Sequence, residues 1–326
     1  MELRRFGTTA LKVAPLALGT VNFSWLTDEA DSFAILDAAL EAGLNLIDTS
    51  DNYNAGQTEA LIGRWLSQGG GRREKVVLAT KVYSPPMEWG SADPVKRMGT
   101  WVGPNQRGLS AKHIREACEA SLKRLQTDYV DLYQMHHIDR QARWEEVWQA
   151  FELLVQQGKA LYVGSSNFAG WHIAQAQESA KARSFMGLVS EQSVYNLMRR
   201  TVELEVIPAA RAYGMAFIPY SPLGGGLLGG KPSDNDKGRR AYMTATDQVQ
   251  RFQALCDELG QSPAAVALAW VAGRPGVTAP VIGPRTMAQL ESSLAALEIR
   301  LSEEMLKELD ALFPGPGGAA PEAYAW

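Results

Sequence analysis

The chain is poor in cysteine. Cys118 and Cys256 are the only two in 326 residues, and both fall in segments with helical spacing. That excludes a disulfide framework and suits a reducing compartment. No apolar run approaches the ~20 residues that a membrane-crossing helix needs. Met1-Glu2-Leu3-Arg4-Arg5 leads into no long apolar stretch, so no secretory leader is expected. Positive charge is not in excess either. The 32 Lys and Arg face 36 Asp and Glu, leaving a net charge of −4. A basic face for nucleic acid or a membrane surface is therefore not expected. Short basic runs such as Arg72-Arg73 and Lys237-Gly238-Arg239-Arg240 read as solvated loops. A soluble cytoplasmic protein is the expectation; the oligomeric state is not readable from the sequence.

Histidine is scarce as well, with four residues. His113 and His172 fall in helical segments. His136, His137 and Asp139 have the residue types that barrel hydrolases use to bind metals at strand ends. Adjacent residues of a strand point to opposite faces, however, so no metal site is expected. No Gly-x-Gly-x-x-Gly fingerprint follows an early strand. Gly224-Gly225-Gly226 opens no immediate helix and is poor evidence for a doubly wound dinucleotide fold. There is no internal repeat beyond a strand–helix unit, and no domain linker. Residues 1–326 read as one domain, with a Gly-, Pro- and Ala-rich tail at 314–326.

What is present is a repeated alternation. Short apolar runs at 15–19, 44–48, 76–81, 130–135, 161–165, 188–192, 216–220 and 279–282 read as eight strands buried on both faces. Residues 2–6 and 11–13 around Gly7-Thr8-Thr9 read as a preceding β-hairpin. Helical spacing fills the gaps: Phe33, Leu36 and Leu40; Leu61, Ile62, Trp65 and Leu66; Ile114, Cys118, Leu122 and Leu125; Val147, Phe151, Leu154 and Val155. Further helices are expected at 169–182, 202–213, 263–272 and 287–297. Asp28 and Ser110 suit N-caps, Gly43 and Gly158 suit helix ends, and Pro263 suits a first turn. Two gaps exceed ordinary loop length, Tyr83 to Leu109 and Leu223 to about Thr246. The fold class is α/β: a single (β/α)8 TIM barrel with an N-terminal β-hairpin and long mouth-side loops.

Four chemically distinct residues sit at or just past strand ends: Asp48, Tyr53, Lys81 and His136. In such a barrel these positions converge on one mouth. A carboxylate, a phenol, an ammonium and an imidazole gathered there can give a proton to a carbonyl oxygen. Taken singly, each has a plainer account. Asp48 could cap a helix, Lys81 could be a solvated charge, and His136 could be a satisfied buried ring.

Five segments in order resemble the aldo-keto reductase superfamily. They are Asp48-Thr49-Ser50-Asp51-Asn52-Tyr53, Ala79-Thr80-Lys81, Asp131-Leu132-Tyr133-Gln134-Met135-His136, Val163-Gly164-Ser165-Ser166-Asn167-Phe168 and Tyr220-Ser221-Pro222-Leu223. The resemblance runs from about Gly19 to Leu294. It implies an NADP(H)-dependent reduction of a carbonyl substrate, with the nicotinamide supplying a hydride. Tyr53 would be the general acid. Its ordinary pKa is about 10, so its phenolate needs help from the Lys81 ammonium. Asp48 would fix Lys81, and His136 would orient the substrate oxygen.

The resemblance assigns Ser166, Asn167 and Gln192 to the nicotinamide carboxamide and Tyr220 to stacking on its ring. Ser221, Leu223 and Gly225 would straddle the pyrophosphate. Gly283 and Arg285 would open the last helix, Arg285 toward a ribose 2′-phosphate. Gln289 would lie near the adenine, where Ser293 stands in place of the family's usual asparagine. Candidate substrate contacts are Trp25, Trp89, Trp101 and His137, the last replacing a common aromatic. The tail, with Tyr324 and Trp326, is either a disordered end or a cover for the pocket. The stretches Val130 to Asp139 and Gln157 to Ala174 are similar to bacterial sugar reductases, including nucleotide-deoxyhexose 2,3-reductases. Other superfamily members are cofactor-sensing subunits with little turnover, and that alternative stays open.

Overall fold

The computed structural model describes residues 1–88, 91, 93–97, 102–230 and 246–325. Trp89, Trp101 and Trp326 lie outside the described residues. The chain opens with an antiparallel hairpin, β1 (Arg4–Arg5) and β2 (Lys12–Val13). Eight parallel strands follow: β3 (Ala17–Gly19), β4 (Leu46–Asp48), β5 (Val77–Val82), β6 (Val130–Met135), β7 (Ala160–Ser166), β8 (Leu188–Gln192), β9 (Ala216–Phe217) and β10 (Val281–Ile282). Their order is β10-β3-β4-β5-β6-β7-β8-β9. Parallel bridges Phe217–Val277 and Tyr220–Val281 join the two ends of that series. The Val281 N–H donates to the Pro219 carbonyl at 2.8 Å. The expected (β/α)8 barrel is the fold observed.

Four strands, β3, β4, β9 and β10, are shorter than their apolar runs, and for the last two a proline marks the limit. β9 ends before Pro219, and β10 begins after Pro280. Proline has no N–H to give to a ladder. The outer helices Glu29–Glu41, Gln57–Ser67, Ala111–Leu125, Trp144–Gln156, Gly170–Ala182, Pro263–Gly273 and Met287–Ala295 follow the spacing closely. Asp28 and Ser110 cap their helices by accepting from the Asp31 and His113 N–H groups. The segment expected as one helix at 202–213 is a 3-10 turn, Thr201–Glu203, and a helix, Val206–Ala212. Besides three four-residue helices, two longer ones, Asp247–Glu258 and Glu303–Leu312, were not expected. They meet through the rings of Phe252 and Phe313, 5.9 Å apart. They fall outside the strand–helix alternation, so that alternation gave no sign of them.

The core has two layers. Residues such as Ile47, Leu78, Trp65 and Phe151 pack between strands and helices. Inside the barrel lie Leu46, Val77, Leu132, Val189 and Ile218, joined by Phe6 and Val13 of the hairpin. The hairpin therefore plugs the end opposite the mouth. One irregularity re-aims side chains. Val163 pairs with Leu188, but Gly164 pairs with Ser190, so Val189 is an extra residue in β8. A bulge of this kind resets the in-and-out alternation. Gln192 then reaches Asp48 inside the barrel, while Glu191 bonds to Ser165, Ser193 and Phe168.

Candidate active site

Above the apolar floor of the barrel sits a polar layer. Asp48 ends β4 and Lys81 lies one residue before the end of β5. Both are buried. Lys81 Nζ donates to Asp48 Oδ2 at 2.6 Å and to the Thr49 carbonyl at 2.8 Å. It also reaches Tyr53 Oη at 3.3 Å. Asp48 Oδ1 accepts from Gln134 Nε2 at 3.1 Å and Gln192 Nε2 at 2.9 Å. Burial works against the Lys81 charge, but the Asp48 carboxylate and the Tyr53 oxygen outweigh it and raise its pKa. The ammonium is therefore retained, and leaving either partner of such a buried pair alone costs about 3–5 kcal/mol.

Tyr53 is carried by the loop between β4 and helix 57–67. Asn54, Ala55 and Gly56 all have left-handed backbone, with φ of 45°, 53° and 83°. For Ala55 that conformation costs about 1 kcal/mol or more, while asparagine tolerates it better than other non-glycine residues. Neighbouring bonds hold it. Asn54 Nδ2 donates to the Ser24 carbonyl at 2.9 Å, and the Ala55 N–H to the Met87 carbonyl at 2.9 Å. Beyond the turn, buried Glu59 accepts from Thr80 Oγ1 at 2.5 Å and Arg124 Nε at 2.7 Å. Helix 57–67 is thereby tied to the strand that carries Lys81.

His136 follows β6, with its ring 6.2 Å from that of Tyr53 in an edge arrangement. Its Nδ1 shares a hydrogen bond with Ser50 Oγ at 3.1 Å. Burial, then the nearby Lys81 ammonium, then His137, push its pKa well below the ordinary value. The imidazole is neutral near pH 7. His136 and His137 do not diverge as expected. Their rings stack, 5.7 Å apart and 13° from parallel, because both lie past the end of β6, where strand alternation no longer applies. Among the described residues no group of three or more His, Cys, Asp or Glu could hold a metal ion.

The residues expected around a cofactor occupy one arc of the mouth, from β7 round to β10. Ser166 ends β7 and is buried. Asn167 follows with φ 59°. Its Nδ2 donates to the His136 carbonyl at 3.1 Å and to Ser166 Oγ at 2.9 Å, while its Oδ1 accepts from Tyr220 Oη at 2.9 Å. Gln192, expected to face a carboxamide, spends its N–H on Asp48. Ser221, with φ 54°, and Leu223 lead into the 3-10 coil Gly224–Gly229, where Gly225 and Gly226 have φ of 72° and 102°. At β10 the Gly283 carbonyl accepts from Asn22 at 2.8 Å. The Arg285 N–H donates to Gln289 Oε1 at 2.8 Å, and Ser293 Oγ donates to the Gln289 carbonyl at 2.7 Å. Trp25 is half-buried in the loop after β3, and His137 is exposed with its ring 5.5 Å from that of Tyr83. Of the tail, the Ala320 N–H donates to the Leu204 carbonyl at 2.9 Å.

The donor set suits an extended dinucleotide. An amide and a hydroxyl lie beside an aromatic ring at β7 and β9. A glycine coil follows, where backbone N–H groups can approach phosphate oxygens. An arginine stands just before a helix capped by Thr286, which accepts from the Gln289 N–H.

The model of the aldo/keto reductase family matches residues 15–313. The chain belongs to that family. It is 52% identical to the uncharacterized oxidoreductase YrpG of Bacillus subtilis (strain 168), over the whole of both chains. It is 31% identical to versiconal hemiacetal acetate reductase of Aspergillus parasiticus, over 97% of this chain and 99% of that one. It is also 31% identical to a probable voltage-gated potassium channel subunit beta of Oryza sativa subsp. japonica, over 96% of each. Membership places this aldo/keto reductase among oxidoreductases. Sequence reasoning missed Gln134, Ser50 and Asn52 as neighbours of the site, the last through its Oδ1, which accepts from Ser50 Oγ at 2.7 Å. A polar Gln134 inside an apolar strand, two residues before His136, was the available signal. For Ser50 and Asn52 there was none beyond their place in the loop that carries Tyr53.

Proposed function

We propose that this protein is an NADP(H)-dependent reductase of aldehydes, ketones or keto-sugars, with Tyr53 as the proton donor. The observation that carries this reading is the buried Lys81–Asp48 pair aimed at Tyr53 Oη, at 2.6 Å and 3.3 Å. Ser166, Asn167, Tyr220, Ser221, Leu223 and Gly225 would hold the cofactor, with Gln192, Gly283, Arg285, Gln289 and Ser293 completing the arc. When bound, the reduced nicotinamide supplies a hydride to the carbonyl carbon. The neutral His136 imidazole orients the carbonyl oxygen, and Tyr53 Oη gives its proton to that oxygen. The Lys81 ammonium stabilises the phenolate left behind, and Asp48 keeps Lys81 charged and in place.

The test is Tyr53→Phe. Turnover is expected to fall by ~10²-fold or more, the scale of lost general-acid catalysis, with NADPH binding kept. Near-wild-type turnover would remove Tyr53 from this role. A second reading is a cofactor-binding redox sensor or regulatory subunit with little turnover. The likeness to a probable channel β subunit favours it. NADPH consumption across a panel of aldehydes, ketones and keto-sugars separates the two. Tight cofactor binding with no consumption on any of them supports the regulatory reading. The keto-sugar choice rests on the stretches Val130 to Asp139 and Gln157 to Ala174, and the same panel tests it.

A further inference from the structure

Glu191 is a fully buried carboxyl that the chemistry above does not use. The bulge in β8 directs it to the turn that follows β7. Its Oε2 accepts from Ser165 Oγ at 2.5 Å. Its Oε1 accepts from Ser193 Oγ at 2.6 Å and from the Phe168 backbone N–H at 3.2 Å. One side chain thus ties together β7, the turn beyond it and the residue after β8. The turn needs such a tie. Asn167 sits in it with φ 59°, a left-handed conformation that asparagine tolerates better than other non-glycine residues and that persists where the surrounding structure holds it. From there its amide atoms reach the His136 carbonyl, Ser166 Oγ and Tyr220 Oη together.

We propose that Glu191 is a positioning residue: by accepting from Ser165, Ser193 and Phe168 it holds the Asn167 turn in the shape that receives the nicotinamide carboxamide. This rests on the assignment of Ser166 and Asn167 to the cofactor. The hold works through hydrogen bonds, not through charge. Ser165 Oγ has a second acceptor, the Ser190 carbonyl at 3.3 Å. An amide at position 191 can therefore donate to Ser165 Oγ while that hydroxyl turns to Ser190. Its oxygen still serves Ser193 and Phe168. An apolar side chain of similar length can do neither, and it leaves a buried N–H without an acceptor.

The experiment compares wild type, Glu191→Gln and Glu191→Leu as full-length protein. NADPH affinity is read by fluorescence titration, kcat and KM by NADPH consumption, and the Phe168 amide by hydrogen exchange. Glu191→Gln is expected within about threefold of wild type, and Glu191→Leu to bind NADPH at least ~10-fold more weakly, about 1.4 kcal/mol. Its kcat at saturating NADPH falls much less, and its Phe168 amide exchanges faster. If Glu191→Leu does not fold, Glu191→Asp, one methylene shorter, is expected to move affinity and exchange in the same direction. A folded Leu or Asp variant with wild-type affinity overturns the proposal. So does a Gln variant as weak as Leu, since that makes charge the agent. If wild type binds no NADP(H), the proposed function falls. Phe168 exchange in the variants then still decides whether Glu191 holds the turn.

Discussion

Arg285 and Glu191 are the two single residues whose chemistry is most open to measurement. Arg285 is half-buried just before the helix that begins at Met287. NADPH differs from NADH by the 2′-phosphate that a guanidinium can grip in two places. Arg285→Ala is expected to weaken NADPH by roughly 1.5–3 kcal/mol more than NADH. Equal losses in fluorescence titration would show that Arg285 does not read the phosphate. Glu191 bears on stability. Burial raises its pKa from 4.5 to about 7, against the pull of its hydrogen-bond donors. The folded state thus binds a proton more tightly than the unfolded chain. Between pH ~4.5 and ~7 the folded protein holds more protons, so stability falls as pH rises through that window, by roughly 3 kcal/mol in all. Below the window the penalty is absent, and above it the penalty is complete. Glu191→Gln removes the titration. Its stability relative to wild type is expected to grow from pH 5 to pH 8 in denaturant melts. A constant difference across that range would contradict the assignment.

At the scale of elements, the packing of helix 57–67 on helix 111–125 decides how firmly the Tyr53 loop is held. Gly63 lies in that contact. A β-carbon there would stand 2.1 Å from the Arg124 carbonyl oxygen and 2.9 Å from the Leu125 carbonyl carbon. Both neighbours are backbone, so neither can rotate away. Gly63→Ala gains helix propensity, yet it is expected to destabilise by about 1–3 kcal/mol because the helices must separate. The denaturant midpoint reads this, and an unchanged midpoint would mean that the contact yields freely. Of these elements, the strands from β5 to β8 were the most legible. Val77, Leu78, Ala79 and Val82 are apolar on both faces because β5 has side chains inside and outside the barrel. Helices Asp247–Glu258 and Glu303–Leu312 were not read, although Thr246 and Ser302 cap them by accepting from the Val249 and Met305 N–H groups. Their caps were present in the sequence, but nothing tied them to the repeating unit.

For the molecule as a whole, the barrel is filled from one end and open to chemistry at the other. Phe6 is fully buried and joins the interior cluster with Leu46, Val77 and Leu132. Phe6→Ala is expected to cost about 3–5 kcal/mol of stability, measured by thermal or denaturant unfolding. NADPH affinity should be unchanged in the folded fraction, because the plug and the mouth are at opposite ends. A loss of affinity with no loss of stability would show that the hairpin acts on the mouth directly.

The sequence by itself determined the kind of barrel, the hairpin before it and the residues at its strand ends, since apolar periodicity and turn residues are local. Asp48, Lys81 and His136 stood out because charge or imidazole ended an apolar run. The tertiary structure alone decided how they are wired. Asp48 receives Gln134 from 86 residues away and Gln192 from 144 residues away. The second contact depends on one extra residue in β8, which turns Gln192 inward and aims Glu191 at the Asn167 turn. Alternation along a chain fixes which face a side chain takes. It does not fix which lone pair that side chain meets across a closed barrel, because that depends on register and bulges set by all the strands together.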